Sequence, residues 1–395
     1  MDTNFDTKKA DSKYIANTYA RYDFVAESGS GSEVRNPEGK RYIDLSSGIG
    51  VNVFGVADEI WKSAVIEQME KLQHISNHFY SEPQSELAGA LCERTGMSKV
   101  FFGNSGAEAN ECAIKAARKY SDDKYGGGRH TIITLVNSFH GRTLATLSAT
   151  GQSSMHVSFG PFVEGFKYVP ANDIDALIAA ADGTVCAVML ELIQGEGGVL
   201  PLEREYIDAV AELCAERDIL MVLDEIQTGM GRTGSLFAFE QFGLTPDIVT
   251  VAKGLAGGLP IGACLLGAKL ENTLSTGTHG STFGGNPVCC AAAVSVLSRI
   301  DDDLLAQVRE KGDLIRSELA GADGVLSVTG MSMMVGIATP FDSREIATKC
   351  LERGVIVLTA KDKVRLLPPL NIPVEELVEA LNVLKDVLSV PPQRS

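Results

Sequence analysis

The sequence predicts an α/β fold in which helices cover both faces of a mostly parallel sheet, followed by a smaller α+β region. The first observation is that short apolar runs alternate with helical patterns through residues 99–300, as they do in β-α-β units. The second is that residues 301–395 instead mix helices with short strands. The third is the length of 395 residues, which favours two domains over a single core.

Apolar periodicity places the elements of the larger region. Strands are predicted at Lys99–Phe102, Thr131–Val136, Cys186–Leu192, Ile219–Ile226, Asp247–Ala252 and Gly262–Gly267. Helices are predicted at Ala107–Tyr120, Glu203–Glu216 and Pro287–Ile300, the last with proline in the favourable first turn. Because strands separated by helices pair in parallel, we expect this sheet to be buried on both faces.

The C-terminal residues have shorter elements. Helices are predicted at Asp303–Leu319, Ser343–Glu352 and Val374–Leu388, and strands at Gly324–Thr329, Met333–Ile337, Val355–Thr359 and Val364–Leu367. Glu33–Ile43, with its Asn-Pro-Glu-Gly turn, is predicted as a hairpin. We therefore divide the chain into an N-terminal arm and hairpin associated with the small domain (1–55), a large domain (56–300) and a small domain (301–395).

Composition excludes several function classes. The net charge of −16 argues against nucleic acid as a partner, because phosphate binding needs a basic surface. No apolar stretch approaches the roughly 20 residues of a membrane helix, and the polar N-terminus lacks a secretory signal. The eight cysteines have no Cys-x-x-Cys spacing and mostly lie in apolar runs, which indicates reduced thiols and a cytoplasmic protein. His74 and His78 lack a third ligand, and no metal site is predicted.

Four predicted strand ends carry unusual polar residues, and in an open α/β sheet ligands collect beyond these ends. At the first, FFGNSGAEAN at residues 101–110 runs from a strand through a turn of small residues into a helix. Free N–H groups and the helix dipole at such a point favour an anion. Ser105 adds a hydroxyl, so the segment is either a phosphate cradle or a simple helix cap.

The second strand end is NSFHGRT at residues 137–143. Phe139 suits stacking on a flat ligand, and Arg142 suits binding of a carboxylate. The alternative is a surface loop whose phenylalanine only fills the core.

The third strand end, MVLDEIQ at residues 221–227, places two acids after a wholly apolar run. A carboxylate there loses hydration and needs a cation or hydrogen bonds. Asp224 therefore either forms a structural ion pair or binds the protonated nitrogen of a ligand.

The fourth strand end carries Lys253, a lone lysine followed by Gly254, Gly257 and Gly258. Partial burial lowers the pKa of a lysine and makes its amine a nucleophile for carbonyl carbons. An exposed lysine at a strand terminus is the alternative. Together, the four ends supply a phosphate cradle, a stacking aromatic, a carboxylate for a pyridinium nitrogen and a Schiff-base lysine, which is the set that pyridoxal 5'-phosphate (PLP) requires.

With these residues in view, the chain resembles the class III aminotransferases of PLP fold type I, and among them it is most similar to the acetylornithine aminotransferases. The matching segments are FFGNSGAEANECAIKAARKY, NSFHGRTLATLSATGQ, ELIQGEGGV, LDEIQTGMGRTG, AKGLAGGLPIGA, HGSTFGGNP and VRLLPPL. They follow the family's order between Tyr19 and Leu388. The resemblance implies a large domain with a seven-stranded sheet, PLP as cofactor and a place in arginine biosynthesis. It also implies transfer of the δ-amino group of N2-acetylornithine to 2-oxoglutarate.

The resemblance also implies roles for individual residues. Lys253 would hold PLP and shuttle the proton, while Asp224 would pair with the pyridine nitrogen. The other cofactor contacts would be Ser105, Gly106 and Ala107 at the phosphate, Phe139 on the ring face, Gln227 near the phenolic oxygen, and Thr282 reaching the phosphate of the neighbouring subunit. Active sites shared in this way imply a homodimer.

Two arginines would explain how two different substrates bind, again by resemblance. Arg142, together with Ser281, would contact the substrate, with Arg142 at the carboxylate farther from the reacting carbon. Arg365 would bind the α-carboxylate of glutamate by a bidentate contact. Glu196 would pair with Arg365 whenever an ω-amino donor leaves that place empty.

Two departures from the family and three alternatives remain. Met230 stands where isoleucine or valine is more usual, a change that we expect to be harmless. Where relatives often carry a Gly-His-x-His-Pro run, this chain has Phe54–Glu59, a difference that would fall at the substrate entrance. The donor could instead be ornithine, succinylornithine, 4-aminobutyrate or an N-protected lysine, because the same catalytic residues serve them all. A PLP aminomutase is a further alternative, and Arg365 and Glu196 argue against it. A non-enzymatic role is disfavoured by the presence of both Lys253 and Asp224.

Overall fold

The computed structural model describes residues 6–389. The strands are β1 (Ser28–Ser30), β2 (Glu33–Arg35), β3 (Arg41–Asp44), β4 (Lys99–Gly103), β5 (Thr131–Leu135), β6 (Phe166–Val169), β7 (Val185–Leu190), β8 (Ile193–Gln194), β9 (Leu200–Pro201), β10 (Leu220–Asp224), β11 (Ile248–Val251), β12 (Gly262–Leu266), β13 (Ser327–Met331), β14 (Met334–Ala338), β15 (Val355–Ile356), β16 (Leu358–Ala360) and β17 (Lys363–Leu366).

Helices fill the connections between these strands. They are α1 (Thr7–Tyr14), α2 (Glu59–Lys71), α3 (Glu82–Thr95), α4 (Gly106–Tyr125), α5 (Leu144–Ala149), α6 (Ile174–Ala180), α7 (Arg204–Arg217), α8 (Pro287–Leu297), α9 (Asp302–Leu319), α10 (Ser343–Glu352) and α11 (Val374–Ser389). Short 3₁₀ helices lie at Ser153–Met155, Ala238–Phe242, Lys253–Ala256 and Ala268–Leu270. Within residues 6–389, no helix is both long enough and apolar enough to cross a membrane.

The central sheet has seven strands in the order β4-β12-β11-β10-β7-β5-β6. Strands β11, β10, β7, β5 and β6 are parallel, and β12 runs antiparallel to both β11 and β4. Every residue of β5, β7, β10, β11 and β12 is buried, because helices cover both faces. The predicted α/β fold with a mostly parallel seven-stranded sheet is confirmed.

The residue pattern did not reveal strand β6. It lies at the edge of the sheet beside β5, and only Val169 of its four residues is buried. A half-exposed edge strand tolerates residues such as Lys167 and Tyr168, so its sequence shows neither a continuous apolar run nor a clean alternation.

The apolar core lies on both faces of the central sheet. On one face, α4 buries Ala109, Cys112, Ala113, Ala116 and Ala117. The small side chains let the helix approach the strands closely, and this positions the start of α4 at the edge where β10 and β5 end. The other face belongs to a larger cluster that continues into the C-terminal elements.

The N-terminal hairpin shares a sheet with a strand from the C-terminal region. Its strands β1, β2 and β3 pair in sequence, and β3 pairs in parallel with β15 through Ile43 and Val355. The predicted single strand Val355–Thr359 is two strands, because β16 instead joins the antiparallel sheet β13-β14-β17-β16. This second sheet carries Arg365 on β17.

A left-handed turn follows the hairpin and leads into the site. Ser47, Gly48, Ile49 and Gly50 all have positive φ angles, between 42° and 72°. Non-glycine residues in this region are strained, so surrounding contacts must hold the turn. The Ser47 hydroxyl donates to the carbonyl of Leu367 at 2.6 Å, which ties the turn to the segment that follows β17.

Candidate active site

A cavity of about 430 Å³ opens beyond the carboxyl ends of β5 and β10 and at the start of α4. Its volume suits a cofactor-sized ligand. Eight of the predicted site residues line it: Ser105, Gly106, Ala107, Phe139, Arg142, Asp224, Gln227 and Lys253. The tertiary structure therefore brings all four of the predicted strand ends to one place.

Asp224 is a buried carboxylate with a fixed orientation, 4% exposed. Its Oδ2 accepts hydrogen bonds from His140 Nδ1 and Asn110 Nδ2, both at 2.8 Å. Its Oδ1 accepts from the Ile226 N–H at 3.1 Å. The Asn110 amide is itself oriented, since its Oδ1 accepts from the Thr250 hydroxyl at 2.7 Å. In residues 6–389, no lysine or arginine pairs with Asp224, which leaves it available to a cationic ligand nitrogen.

His140 and Asn110 are site residues that sequence reasoning missed. His140 lies in the same loop as Phe139 and Arg142, but the sequence assigned it no partner, and it pairs with a carboxylate 84 residues away. Asn110 lies inside the helix α4, where its residue type gives no signal. No local pattern predicts such partners, because they meet only once β5, β10 and α4 have packed.

Lys253 begins a 3₁₀ helix after β11, rather than ending the strand, and has a φ angle of +42°. A lysine in this region is strained, which is frequent at functional sites. Burial lowers the pKa of its amine and Arg365 lowers it further, while Glu196, Asp224 and Glu191 oppose the shift. The amine is therefore a stronger nucleophile near neutral pH than an exposed lysine would be.

The start of α4 has the geometry of an anion cradle. Ser105 caps the helix, and its hydroxyl accepts from the Glu108 N–H at 3.2 Å. Backbone N–H groups at the first positions of a helix lack partners within the helix, and here Gly106 and Ala107 face the cavity. A Cβ on Gly106 would come within 2.8 Å of the Ile226 side chain, so only glycine fits there without displacing it.

Phe139 and Glu191 form the wall of the cavity beside Asp224. The Phe139 N–H donates to Glu191 Oε2 at 2.9 Å. The Arg142 guanidinium lies 5.7 Å from the Phe139 ring centroid, and its side chain is exposed at the cavity mouth. Burial raises the pKa of Glu191 to about 7, with Asp224 adding to the rise and His140 opposing it. Sequence reasoning also missed Glu191, which falls inside the predicted strand Cys186–Leu192, whereas β7 ends at Leu190 and leaves Glu191 at the strand end.

Arg365 and Glu196 lie behind the cavity wall and reach it through Gln227. Arg365 Nη1 donates to Glu196 Oε1 at 2.6 Å and to Gln227 Oε1 at 3.3 Å. The arginine is 2% exposed, and its Nε finds no hydrogen-bond partner among residues 6–389. Burial opposes ionisation of Glu196, but Arg365 outweighs it and holds the pKa of that carboxyl below its ordinary value. The pair is therefore charged, and Nε of the arginine is buried without a partner in the described residues.

The chain from residue 14 to residue 388 matches the family model for class-III aminotransferases. The chain belongs to this family. The acetylornithine aminotransferase of Haemophilus ducreyi is 52% identical over 98% of this chain and 99% of its own. The resemblance stated from the sequence is confirmed.

Solved structures agree with the family assignment. An ornithine aminotransferase from Toxoplasma gondii, with PLP in partial occupancy at its active site, is 31% identical with a TM-score of 0.92, covering 97% of this chain and 93% of that one. The N-acetylornithine aminotransferase of Stenotrophomonas maltophilia is 36% identical with a TM-score of 0.84, covering 96% and 98%.

Besides Arg365 and Glu196, two further predicted residues of this class-III aminotransferase lie outside the cavity. Ser281 and Thr282 line a separate surface cavity of about 680 Å³. The Ser281 hydroxyl accepts from Asn104 Nδ2 at 3.1 Å, whereas Thr282 is exposed. Asn104 connects this surface to the phosphate cradle of the same chain, because it bonds Ser281 and also lines the first cavity.

The stretch Phe54–Glu59, where the sequence departs from the family pattern, is a packed turn. The Arg299 guanidinium lies 3.8 Å from the Phe54 ring centroid and pairs with Asp58 at 2.9 Å. Asp58 also caps α2 by accepting from the Trp61 N–H at 2.9 Å. Val51 lines the cavity and residues 54–59 do not, so the departure lies in the packing beside the site and not in the lining of this cavity.

Proposed function

We propose that this enzyme transfers the δ-amino group of N2-acetylornithine to 2-oxoglutarate, giving N-acetylglutamate 5-semialdehyde and glutamate, with PLP as cofactor. The observation that carries the proposal is the Arg365–Glu196 ion pair directly behind the Lys253–Asp224 cavity. An aminotransferase that accepts both an ω-amine and glutamate needs this arginine in two states. Its own glutamate covers the arginine when the ω-amine binds, and the arginine is free when the α-carboxylate of glutamate binds. The 52% identity to an acetylornithine aminotransferase supports this choice of donor.

The residues of the cavity fit PLP. Asp224 offers a buried carboxylate without a lysine or arginine partner in residues 6–389, which suits a protonated pyridine nitrogen. The first turn of α4 suits the phosphate, and Lys253 offers an amine for the aldehyde. When bound, PLP supplies an electron sink for the pair of electrons left as the substrate carbon loses its proton.

We assign two chemical tasks to Lys253 and Asp224. Lys253 Nζ would hold the cofactor and, as a free amine, would take the proton from the substrate carbon and carry it through the transfer. Its lowered pKa lets the free amine act as a base near neutral pH. Asp224 would hold the proton of the pyridine nitrogen, and its hydrogen bonds from His140 and Asn110 fix the orientation of the carboxylate.

The two substrates differ in where their carboxylates lie. With N2-acetylornithine, we propose that Arg142 takes the carboxylate and that Glu196 keeps Arg365 neutralised. With glutamate, the α-carboxylate replaces Glu196 on Arg365, using Nη and the unpartnered Nε in a bidentate contact. The side chain of Glu196 is part-exposed, 28%, so it has room to withdraw.

A homodimer with shared sites completes the proposal. Thr282 is exposed and lies outside its own cavity, as a residue that serves the phosphate of a neighbouring subunit would. The exposed ring of Phe283 follows Thr282 in the chain, and those of Phe79 and Tyr80 follow Asn77, whose Nδ2 donates to the Ser281 carbonyl at 3.0 Å; a second copy would bury these rings. We also place the enzyme in the cytoplasm, which the eight free cysteines support.

The proposal is tested by following the cofactor's absorption spectrum after separate addition of N-acetylornithine, ornithine and 4-aminobutyrate, without a keto acid. The fastest conversion to the pyridoxamine form is expected with N-acetylornithine. A faster response to another amine would correct the donor and leave the family unchanged. Conversion by none of them would contradict the proposal and favour an isomerase.

A further inference from the structure

Glu191 is a buried carboxylate whose two oxygens join two loops of the site. Its Oε2 accepts from the Phe139 N–H at 2.9 Å, and its Oε1 accepts from the Gly195 N–H at 3.1 Å. Phe139 lies in the cavity wall, and Gly195 directly precedes Glu196. A single side chain therefore fixes the backbone on both sides of the active site.

Gly195 in turn packs directly against the side-chain amide of Gln227. A Cβ at Gly195 would come within 2.5 Å of Gln227 Oε1, so the two groups are in close contact. Gln227 is bonded to both members of the ion pair, since its Nε2 donates to Glu196 Oε1 at 3.4 Å and its Oε1 accepts from Arg365 Nη1 at 3.3 Å. A shift of the Gly195 backbone would therefore alter the geometry of the pair.

Building on the proposed function, we propose that Glu191 is a positioning residue that holds Gly195 so that Glu196 and Gln227 close on Arg365. It thereby sets how strongly an incoming α-carboxylate must compete for Arg365. Arg365 itself is held by β17 and its pairing with β14, not by the loop. Loosening the loop should thus free the arginine without displacing it.

The ionisation of Glu191 gives this role a pH dependence. The titratable groups that face it are His140, Asp224 and Lys253. Burial raises the pKa of Glu191 to about 7, so the carboxylate is ionised at pH 8 and largely protonated at pH 6. A protonated acid accepts the two N–H bonds less strongly. The hold on Gly195 should therefore weaken as the pH falls through 7.

The test is the binding of glutarate, which has both carboxylates of glutamate but no amino group, to the PLP-loaded enzyme by titration calorimetry. At pH 8, Glu191→Gln should lower the Kd for glutarate by about tenfold, as expected for the loss of a hydrogen bond to a charged group. The difference from the wild type should shrink at pH 6. Glu225→Gln is the matched control, because Glu225 is equally buried with a pKa of about 7 but bonds Thr228 and Phe239 instead; its Kd should match the wild type.

A double-mutant cycle identifies the route of the effect. If Glu191 acts through Glu196, adding Glu191→Gln to Glu196→Gln should change the Kd by less than about twofold. An equal change in both backgrounds, an unchanged Kd in Glu191→Gln or the same change in Glu225→Gln would overturn the proposal. Should Glu191→Gln not fold, Glu191→Asp keeps the charge but is too short to reach both loops; a wild-type Kd in that variant would overturn it equally.

Glutarate binding needs no amino transfer, so the test of Glu191 is independent of the test of the proposed amino donor. If N-acetylornithine does not convert the wild-type cofactor, the proposed donor is wrong, whatever the variants do. If it does convert it and the glutarate results are negative, only the role of Glu191 is wrong.

Discussion

Arg365 and Glu196 form an ion pair of 2.6 Å across 169 residues of sequence. Arg365 lies on β17 in the C-terminal antiparallel sheet, and Glu196 follows β8 behind the cavity wall. Neither residue lines the cavity, and Gln227 connects both of them to it. The guanidinium that would bind an α-carboxylate is thus occupied by the enzyme's own carboxylate.

Removing Glu196 should change the substrate preference. In Glu196→Ala, Arg365 stands open to α-carboxylates, so reaction with glutamate should gain about tenfold relative to N-acetylornithine, the value of one charge-assisted hydrogen bond. Pyridoxamine formation from each amine, followed by absorbance, measures the ratio. An unaltered preference among ornithine, N-acetylornithine and glutamate would contradict the exchange of partners at Arg365.

Lys253→Ala should abolish turnover while leaving the fold intact. The variant loses the amine that binds the cofactor and moves the proton, and a positioned acid–base group alone contributes about 10²–10⁴ in rate. Steady-state assays give the loss, and circular dichroism with thermal unfolding checks the fold. Activity near the wild-type level would refute the assignment of Lys253.

Asp224→Asn should slow proton removal and retain the cofactor. Asparagine preserves shape but lacks the charge that holds a proton on the ring nitrogen, and loss of one electrostatic contact of this kind costs about 10²–10³ in rate. The rate with substrate deuterated at the reacting carbon should show a larger isotope effect than in the wild type. An unchanged rate and isotope effect would contradict the pairing of Asp224 with the ring.

Thr282→Ala should weaken PLP binding without dissociating the proposed dimer. If Thr282 reaches the phosphate of a neighbouring subunit, the lost hydrogen bond to a charged group should raise the Kd for PLP by about tenfold. Thr276→Ala is the control, because Thr276 is an exposed threonine of the same surface cavity. Fluorescence titration gives each Kd, and light scattering gives the mass. Equal Kd values in the two variants would exclude the shared contact.

Glu225→Gln should gain stability relative to the wild type as the pH rises. Burial raises the pKa of Glu225 to about 7, so the folded state retains a proton that the unfolded chain releases at an ordinary glutamate pKa. In the wild type, the protonated Glu225 therefore contributes to the free energy of unfolding. This contribution is fully present below the ordinary glutamate pKa and is lost as the pH rises through about 7, by up to about 3 kcal/mol. Denaturant unfolding of both proteins at pH 5.5 and pH 8 measures the difference; a gap that does not vary with pH would be contrary to this account.

The sequence by itself determined the family, the α/β class and the residues at the four strand ends. Asp224, Lys253, Ser105 and Phe139 were identifiable because each is a polar or aromatic residue set against an apolar run, a contrast that is local in sequence. The edge strand β6 lacked that contrast, and Val355–Thr359 appeared as one strand because a change of sheet at Val357 leaves no mark on the residue pattern.

Only the tertiary structure decided which groups act on one another. His140 and Asn110 donate hydrogen bonds to Asp224. Glu191 accepts hydrogen bonds from the backbone N–H groups of Phe139 and Gly195. The local sequence does not indicate any of these pairs. The pKa of a buried carboxylate depends on its neighbours, and those neighbours come from strands that are distant in sequence. A sequence can therefore specify which chemical groups are present, but their pKa values and hydrogen-bond partners follow from how helices and strands converge.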